Sequence, residues 1–389
     1  MKYRGGKMAK KSVLFSLSMT ALIALPFASL MDFKAVDMET PFMTSSQECK
    51  ECHAEIYKSW KNSMHAMSLD DPIFKSSYMQ SYLNTKGDAK FNCLKCHAPM
   101  TLINNDYDLE METTREGVTC YFCHSLKEVN LADRQAPFKF EKKGIKRASL
   151  SNVSSTAHGT EASALFKSSE LCAGCHEYTN DKGTKILGTY SEWKEGPYPA
   201  EGKQCQDCHM PLVAGNVVKS KIESSGQKQI NLHAISAGHS VEQLQKAVKV
   251  EIEEIVQSED FLEVNVSVTN IGSGHKVPTG IPKRKLVLIV DVKTPNEYLS
   301  QHKEYTRMLE DEKGNKIEKE CEVFMLAVKN SFDNRIGPRE TRREIFPFVK
   351  PKNKKVTVSA RVEYLYETTI LNPVEMRVIM AEDSKIVSK

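Results

Sequence analysis

Residues 116–124 read Glu116-Gly117-Val118-Thr119-Cys120-Tyr121-Phe122-Cys123-His124, and the Cys-x-x-Cys-His that ends this stretch occurs four more times, at Cys49–His53, Cys93–His97, Cys172–His176 and Cys205–His209. Two thiols three positions apart on a helical turn lie on one side of it. They can add to the two vinyl groups of one porphyrin, while the next residue turns its imidazole towards the iron. Each copy therefore reads as an attachment point for haem c. The residues between the cysteines are not dictated by this chemistry, and they differ from copy to copy. A single Cys-x-x-Cys is as readily a redox dithiol or half a zinc site. Five copies, each followed by His, leave little to those readings. Ten of the eleven cysteines are used in this way, and the remaining one, Cys321, reads as a buried thiol without a redox part.

Irons held by His53, His97, His124, His176 and His209 each need a sixth ligand, and the chain offers His65, His158, His233, His239 and His275. His65 follows His53 by twelve positions. On a continuous helix that is a rise of about 18 Å, so His65 must serve a different iron. His158 sits between Ala157 and Gly159, small neighbours that permit close approach to a porphyrin. His233 and His239 fall in one short segment after the last motif, as on a strap folded back over the haems. His275 lies in Gly272-Ser273-Gly274-His275-Lys276-Val277-Pro278-Thr279-Gly280, an irregular loop able to present it across to a haem. Met210 follows His209 directly and points away from that iron. His302 reads as surface.

The net charge of +4 misleads, because Lys2, Arg4, Lys7, Lys10 and Lys11 precede an apolar run from Val13 to Leu30; without these five the balance is −1. The basic start, the apolar run and the small residues Ala28 and Ser29 form an export signal over residues 1–31, cleaved or retained as an anchor. Covalent haem attachment outside the cytoplasm agrees with a periplasmic or secreted protein. Nothing supports a nucleic-acid partner. The basic run Lys139, Lys142, Lys143, Lys146 and Arg147 reads as a solvated loop, or as a docking site for an acidic redox partner.

Residues 32–46 form a linker and residues 47–246 a mainly α, haem-packed domain. Only 27 positions separate His97 from His124, which implies that the second and third haems share a pocket. From about residue 247 to the C-terminus the pattern changes. Val250, Ile252, Ile255 and then Leu262, Val264, Val266 and Val268 give the period of half-buried strands. Lys285–Val292, Arg343–Val349 and Lys355–Leu365 continue it, and together they predict an all-β, Ig-like sandwich over 247–389.

These features resemble the multihaem cytochrome c family related to cytochrome c-554 and hydroxylamine oxidoreductase. The resemblance rests on the motif array, on the stretch quoted above, on Tyr190-Ser191-Glu192-Trp193-Lys194-Glu195-Gly196-Pro197-Tyr198-Pro199 before the fifth motif with its trailing Met210-Pro211, and on the Gly272–Gly280 loop. It implies closely spaced haems, largely ligated by two histidines, and a β-domain that supplies one distal His. Nitrite reductases of this kind replace the motif His of the catalytic haem with Lys, and all five copies here keep His. The expectation is an electron carrier of anaerobic respiration, fed by a quinol-oxidising complex or another cytochrome. Five distal histidines would leave no iron open. Two alternatives are a reductase of nitrite, hydroxylamine or a similar small oxyanion at one five-coordinate haem, and a subunit of an extracellular cytochrome filament.

Overall fold

The computed structural model describes residues 45–134, 136–140, 144–219, 228–352, 355–367 and 375–388. The export segment of residues 1–31 and the linker up to residue 44 lie outside them. Among the described residues no helix is long and apolar enough to cross a membrane.

The motif-bearing part is built from short helices alternating with two-stranded ribbons. Helices α1 (Ser46–Cys49), α2 (Ala54–Lys61), α3 (Pro72–Asn84), α4 (Ala89–His97), α5 (Thr101–Asn104), α6 (Glu112–Arg115) and α7 (Cys120–Ser125) come first. Strands β1 (Leu126–Val129) and β2 (Phe138–Phe140) pair antiparallel, and β3 (Ile145–Ala148) and β4 (Gly159–Ala162) pair parallel. Helix α8 (Glu170–His176) leads into the hairpin β5 (Glu177–Thr179) and β6 (Lys185–Gly188), then α9 (Thr189–Lys194) and α10 (Cys205–His209). The pair β7 (Leu212–Ala214) and β8 (Gln229–Asn231) and helix α11 (Val241–Gln245) complete this part. It is thus mixed where the sequence reads as mainly helical, because turn-sized helices that present a Cys pair leave the chain to return as extended backbone.

Local chemistry sets the helix ends. Asp71 caps α3 by accepting from the Ile73 and Phe74 amides, and Pro72 fills the first turn, where no amide hydrogen is needed. The first helix after His53 stops at Lys61, so His65 lies beyond it.

Beyond residue 247 lie β9 (Val248–Gln257), β10 (Phe261–Asn270), β11 (Arg284–Lys293), β12 (Tyr298–Tyr305), β13 (Arg307–Glu310), β14 (Lys329–Asp333), β15 (Thr341–Val349), β16 (Lys355–Glu367) and β17 (Glu375–Ser388), with α12 (Glu320–Leu326) between β13 and β14; β9, β10, β11, β15 and β16 are the expected strands, and the other four are additions to them. Two antiparallel sheets form, ordered β15-β10-β9 and β12-β11-β16-β17. The alternating valines of β9 and β10 and the Leu286, Leu288, Val290 and Val292 series of β11 point into one shared core. A bulge in β9, opposite Asn265 and Val266, explains why its apolar spacing lengthens from two to three between Ile252 and Ile255. Ile73 of α3 and Leu244 of α11 join the same core. The described residues therefore form one compact unit, with the sheets packed directly on the motif-bearing part. Helix α12 reinforces that seam: the Cys321 thiol, buried, donates to Gln80 of α3 at 2.9 Å.

Candidate functional site

Four of the five Cys-x-x-Cys-His copies lie on short helices, at the ends of α4 and α8 and over α7 and α10, while the first straddles the end of α1 and the start of α2. None of the eleven cysteines is in a disulfide. The positions between the thiols are less free than their variability implies. Leu94 and Ala173 are wholly buried, and Lys95, Tyr121 and Phe122 nearly so. A Cβ on Gly174 would lie 2.2 Å from the Phe138 ring. These residues anchor the turns of the second, third and fourth motifs in the core, whereas Lys50 and Glu51 of the first are exposed.

Main-chain carbonyls orient the imidazoles. Nδ1 of His53 donates to Val217 O at 2.7 Å, His97 to Ser68 O at 3.1 Å, His124 to Arg147 O at 2.5 Å and His209 to Ser236 O at 2.7 Å. On the second set, Nδ1 of His158, His233 and His275 faces the carbonyls of Gly159, Asn231 and Lys276 at 3.0, 2.7 and 2.9 Å. A carbonyl can only accept, so Nδ1 carries the proton and Nε2 keeps its lone pair for a metal. Burial, foremost, holds His65, His97 and His124 down to about 4, which keeps them neutral.

The histidines meet in pairs. Ring centroids are 6.4 Å apart for His53 and His158, 6.3 Å for His65 and His176, 6.4 Å for His124 and His233, and 6.4 Å for His209 and His275. An iron between two imidazoles, with bonds of about 2 Å and each ring centre about 1.1 Å behind its nitrogen, needs roughly 6.3 Å. The donor set and its spacing thus fit haem c. His97 differs. Its neighbour is Phe74, whose ring lies flat on the imidazole at 3.7 Å. A ring stacked on the face is at right angles to the Nε2 lone pair and cannot stand in for an axial ligand. His239 makes no ring contact with another imidazole among the described residues; it lies within electrostatic reach of Asp71, which also acts on His97.

Thiols of different copies also face each other: Cys49 with Cys120, Cys96 with Cys175, and Cys172 with Cys205. The first motif is therefore beside the third, and the fourth beside both the second and the fifth. The third also approaches the fourth, since Cys123 is within electrostatic reach of Cys175.

The His275 loop is held by a buried ionic network that the sequence does not disclose. Arg335 pairs with Glu192 of α9 at 2.7 Å and with Asp333 at 2.9 Å. Thr279 donates to Glu192 at 2.7 Å and shares a hydrogen bond with Thr189 at 2.9 Å. Lys276 pairs with Asp333 at 2.9 Å. Glu192 lies inside the quoted Tyr190–Pro199 stretch, yet nothing in its spacing names a partner 143 residues away. The basic run also departs from expectation: Arg147 is buried and paired with Glu161 at 2.8 Å, and Lys146 sits 3.5 Å above the Tyr121 ring. Lys142 and Lys143 lie outside the described residues.

Five such motifs, arranged on this fold, define a multihaem c-type cytochrome. Residues 48–125 match the family model "Cytochrome c554 and c-prime". Among solved structures the chain is similar to a penta-heme cytochrome c552 from Thermochromatium tepidum, with 23% identity over 89% of this chain and 99% of that one and a TM-score of 0.68. Partial likenesses to a β-glucosidase of Kluyveromyces marxianus (12% identity, 37% of this chain and 14% of that one, TM-score 0.19) and to Spo0M of Bacillus subtilis (17%, 36% and 49%, TM-score 0.15) are too slight to carry weight. No curated protein matches the chain. Its cofactors are five covalently bound haem c groups, whose attachment the sequence motifs assign to Cys49, Cys52, Cys93, Cys96, Cys120, Cys123, Cys172, Cys175, Cys205 and Cys208.

Proposed function

We propose that this chain is an extracytoplasmic electron carrier of anaerobic respiration, in which the four histidine pairs each hold an iron between two imidazoles. The observation that carries this reading is the common 6.3–6.4 Å separation of those pairs. Haem c, when bound, supplies a one-electron couple at each motif. The protein's part is to keep the buried imidazoles of His65, His124 and His176 neutral, to fix orientation through the carbonyl bonds, and to exclude water with the buried residues of the second, third and fourth motifs. Two nitrogen ligands suit both oxidation states, so little has to move with each electron. The two sheets, read as an Ig-like sandwich, contribute His275. The donor is expected to be a quinol-oxidising complex or another cytochrome, with the N-terminal segment directing the chain across the membrane or retaining it there.

Electron paramagnetic resonance of the oxidised holoprotein tests the ligation. Four low-spin irons are expected; fewer than four would refute the pairing. One observation favours a second reading, reduction of a small oxyanion: among the described residues no imidazole stands across from His97 as one does from His53, His124, His176 and His209. On that reading the fifth iron is high-spin.

A further inference from the structure

Of the ten residues that stand between the paired thiols, four are charged: Lys50, Glu51, Lys95 and Asp207. Lys50, Glu51 and Asp207 are exposed, whereas Lys95 is only 4% exposed. Taking an ammonium out of water is costly unless other groups replace its hydration, so packing alone does not explain a lysine inside a haem-attachment turn. Its Nζ donates to the Arg134 carbonyl at 3.1 Å and lies 5.0 Å from the centre of the Tyr178 ring. No carboxylate pairs with it among the described residues.

Its position adds to its burial. Lys95 acts electrostatically on both thiols of its own motif, Cys93 and Cys96, and Cys96 faces Cys175 of the fourth motif. Tyr178 follows His176 by two residues and packs with Ile186, Val323 and Phe324, in a cluster that joins the hairpin of β5 and β6 to α12. The cation is therefore held where the second and fourth motifs meet, closed off from solvent by side chains of both parts of the molecule.

Reduction places one more electron on an iron, and a fixed positive charge nearby favours the state that holds it. A surface lysine does this weakly, because water and dissolved ions screen it. A buried one acts through a medium of lower dielectric and keeps more of its effect. We propose that the Lys95 ammonium raises the reduction potential of the haem at the second motif and so draws electrons towards the contact between the second and fourth motifs. The proposal deepens the electron-carrier reading and rests on it.

The test is a potentiometric titration of the holoprotein, followed by the visible absorption of reduced haem, for wild type, Lys95→Gln, Lys95→Arg and Lys313→Gln. Glutamine can still donate to the Arg134 carbonyl but carries no charge. Lys95→Gln should move at least one haem's share of the absorbance change to lower potential, by about tenfold in the one-electron equilibrium, or about 59 mV. Lys95→Arg, which keeps the charge, should stay within about threefold of wild type on the same scale. Lys313→Gln, at an exposed position, should titrate as wild type does. An unmoved curve in Lys95→Gln overturns the proposal, as does a Lys95→Arg curve that falls equally far. If Lys95→Gln does not mature, Lys95→Met is read in its place; if neither neutral form matures, the charge serves folding and the proposal falls. The count of low-spin irons tests the electron-carrier reading separately. Four low-spin irons with an unmoved curve would leave that reading standing without a part for Lys95.

Discussion

The Nδ1 proton of His158 is committed to the Gly159 carbonyl, which leaves its Nε2 free to face His53. Removing that ring should cost one iron its second imidazole and nothing else. His158→Ala is therefore expected to add one high-spin haem to the resonance spectrum while the remaining low-spin signals persist. An unchanged spectrum would mean that His158 is not a ligand. Gly117 makes a different kind of residue-scale demand. Its φ is +73°, and a Cβ there would lie 2.5 Å from His65 O and 2.9 Å from Ala66 O. Gly117→Ala combines left-handed strain of about 1–2 kcal/mol with displacement of the segment that carries His65. It should lower the melting temperature and weaken the low-spin signal assigned to the His65–His176 pair.

Among elements, the loop that presents His275 depends on Arg335, whose side chain is almost fully buried between Glu192 and Asp333. Arg335→Met leaves Glu192 without its cation and Asp333 with Lys276 alone, and should destabilise the protein by about 3–5 kcal/mol, measured by denaturant unfolding. The same network predicts a pH dependence. Burial raises the Asp333 carboxyl, but Arg335 and Lys276 outweigh it and hold the group well below its ordinary range. A carboxylate depressed on folding stabilises fully above its unfolded pKa of about 3.9 and loses that contribution as pH falls through the folded value. The stability difference between wild type and Asp333→Asn should thus be flat from neutral pH to about 5 and shrink below about 4. A difference that grows with acid would contradict this.

Strands β9, β10, β11, β15 and β16 were legible because their apolar alternation runs long enough to outweigh chance, whereas the edge strands β12 and β17 carry too many exposed polar residues to show one. Ribbons of three or four residues such as β5 and β7 carry no such signal, and α12 lacks a capping side chain to announce it. The iron-holding cysteines and proximal histidines could be read from spacing alone. Their partners could be enumerated but not assigned. Nothing in the sequence separates His65 facing His176 from His65 facing any other motif, since the choice is made by the tertiary fold. Phe74 and Glu192 were invisible as site residues for the same reason.

At the scale of the whole molecule, mass spectrometry of exported material should find the chain heavier by five haems, and colourless folded protein would remove the basis of every ligation argument above. The pairings also cross one another along the chain: His53 reaches to His158 and His65 to His176, while His124 reaches to His233 and His209 to His275. With a metal bridging each pair, these spans behave as overlapping staples, each closing a long loop. A protease that nicks the backbone once, between residues 66 and 123, would then release no fragment under conditions that leave the iron bonds intact. Synthesis meets the same interlock from the other end: the fifth iron has to wait for the sheets before its coordination is complete.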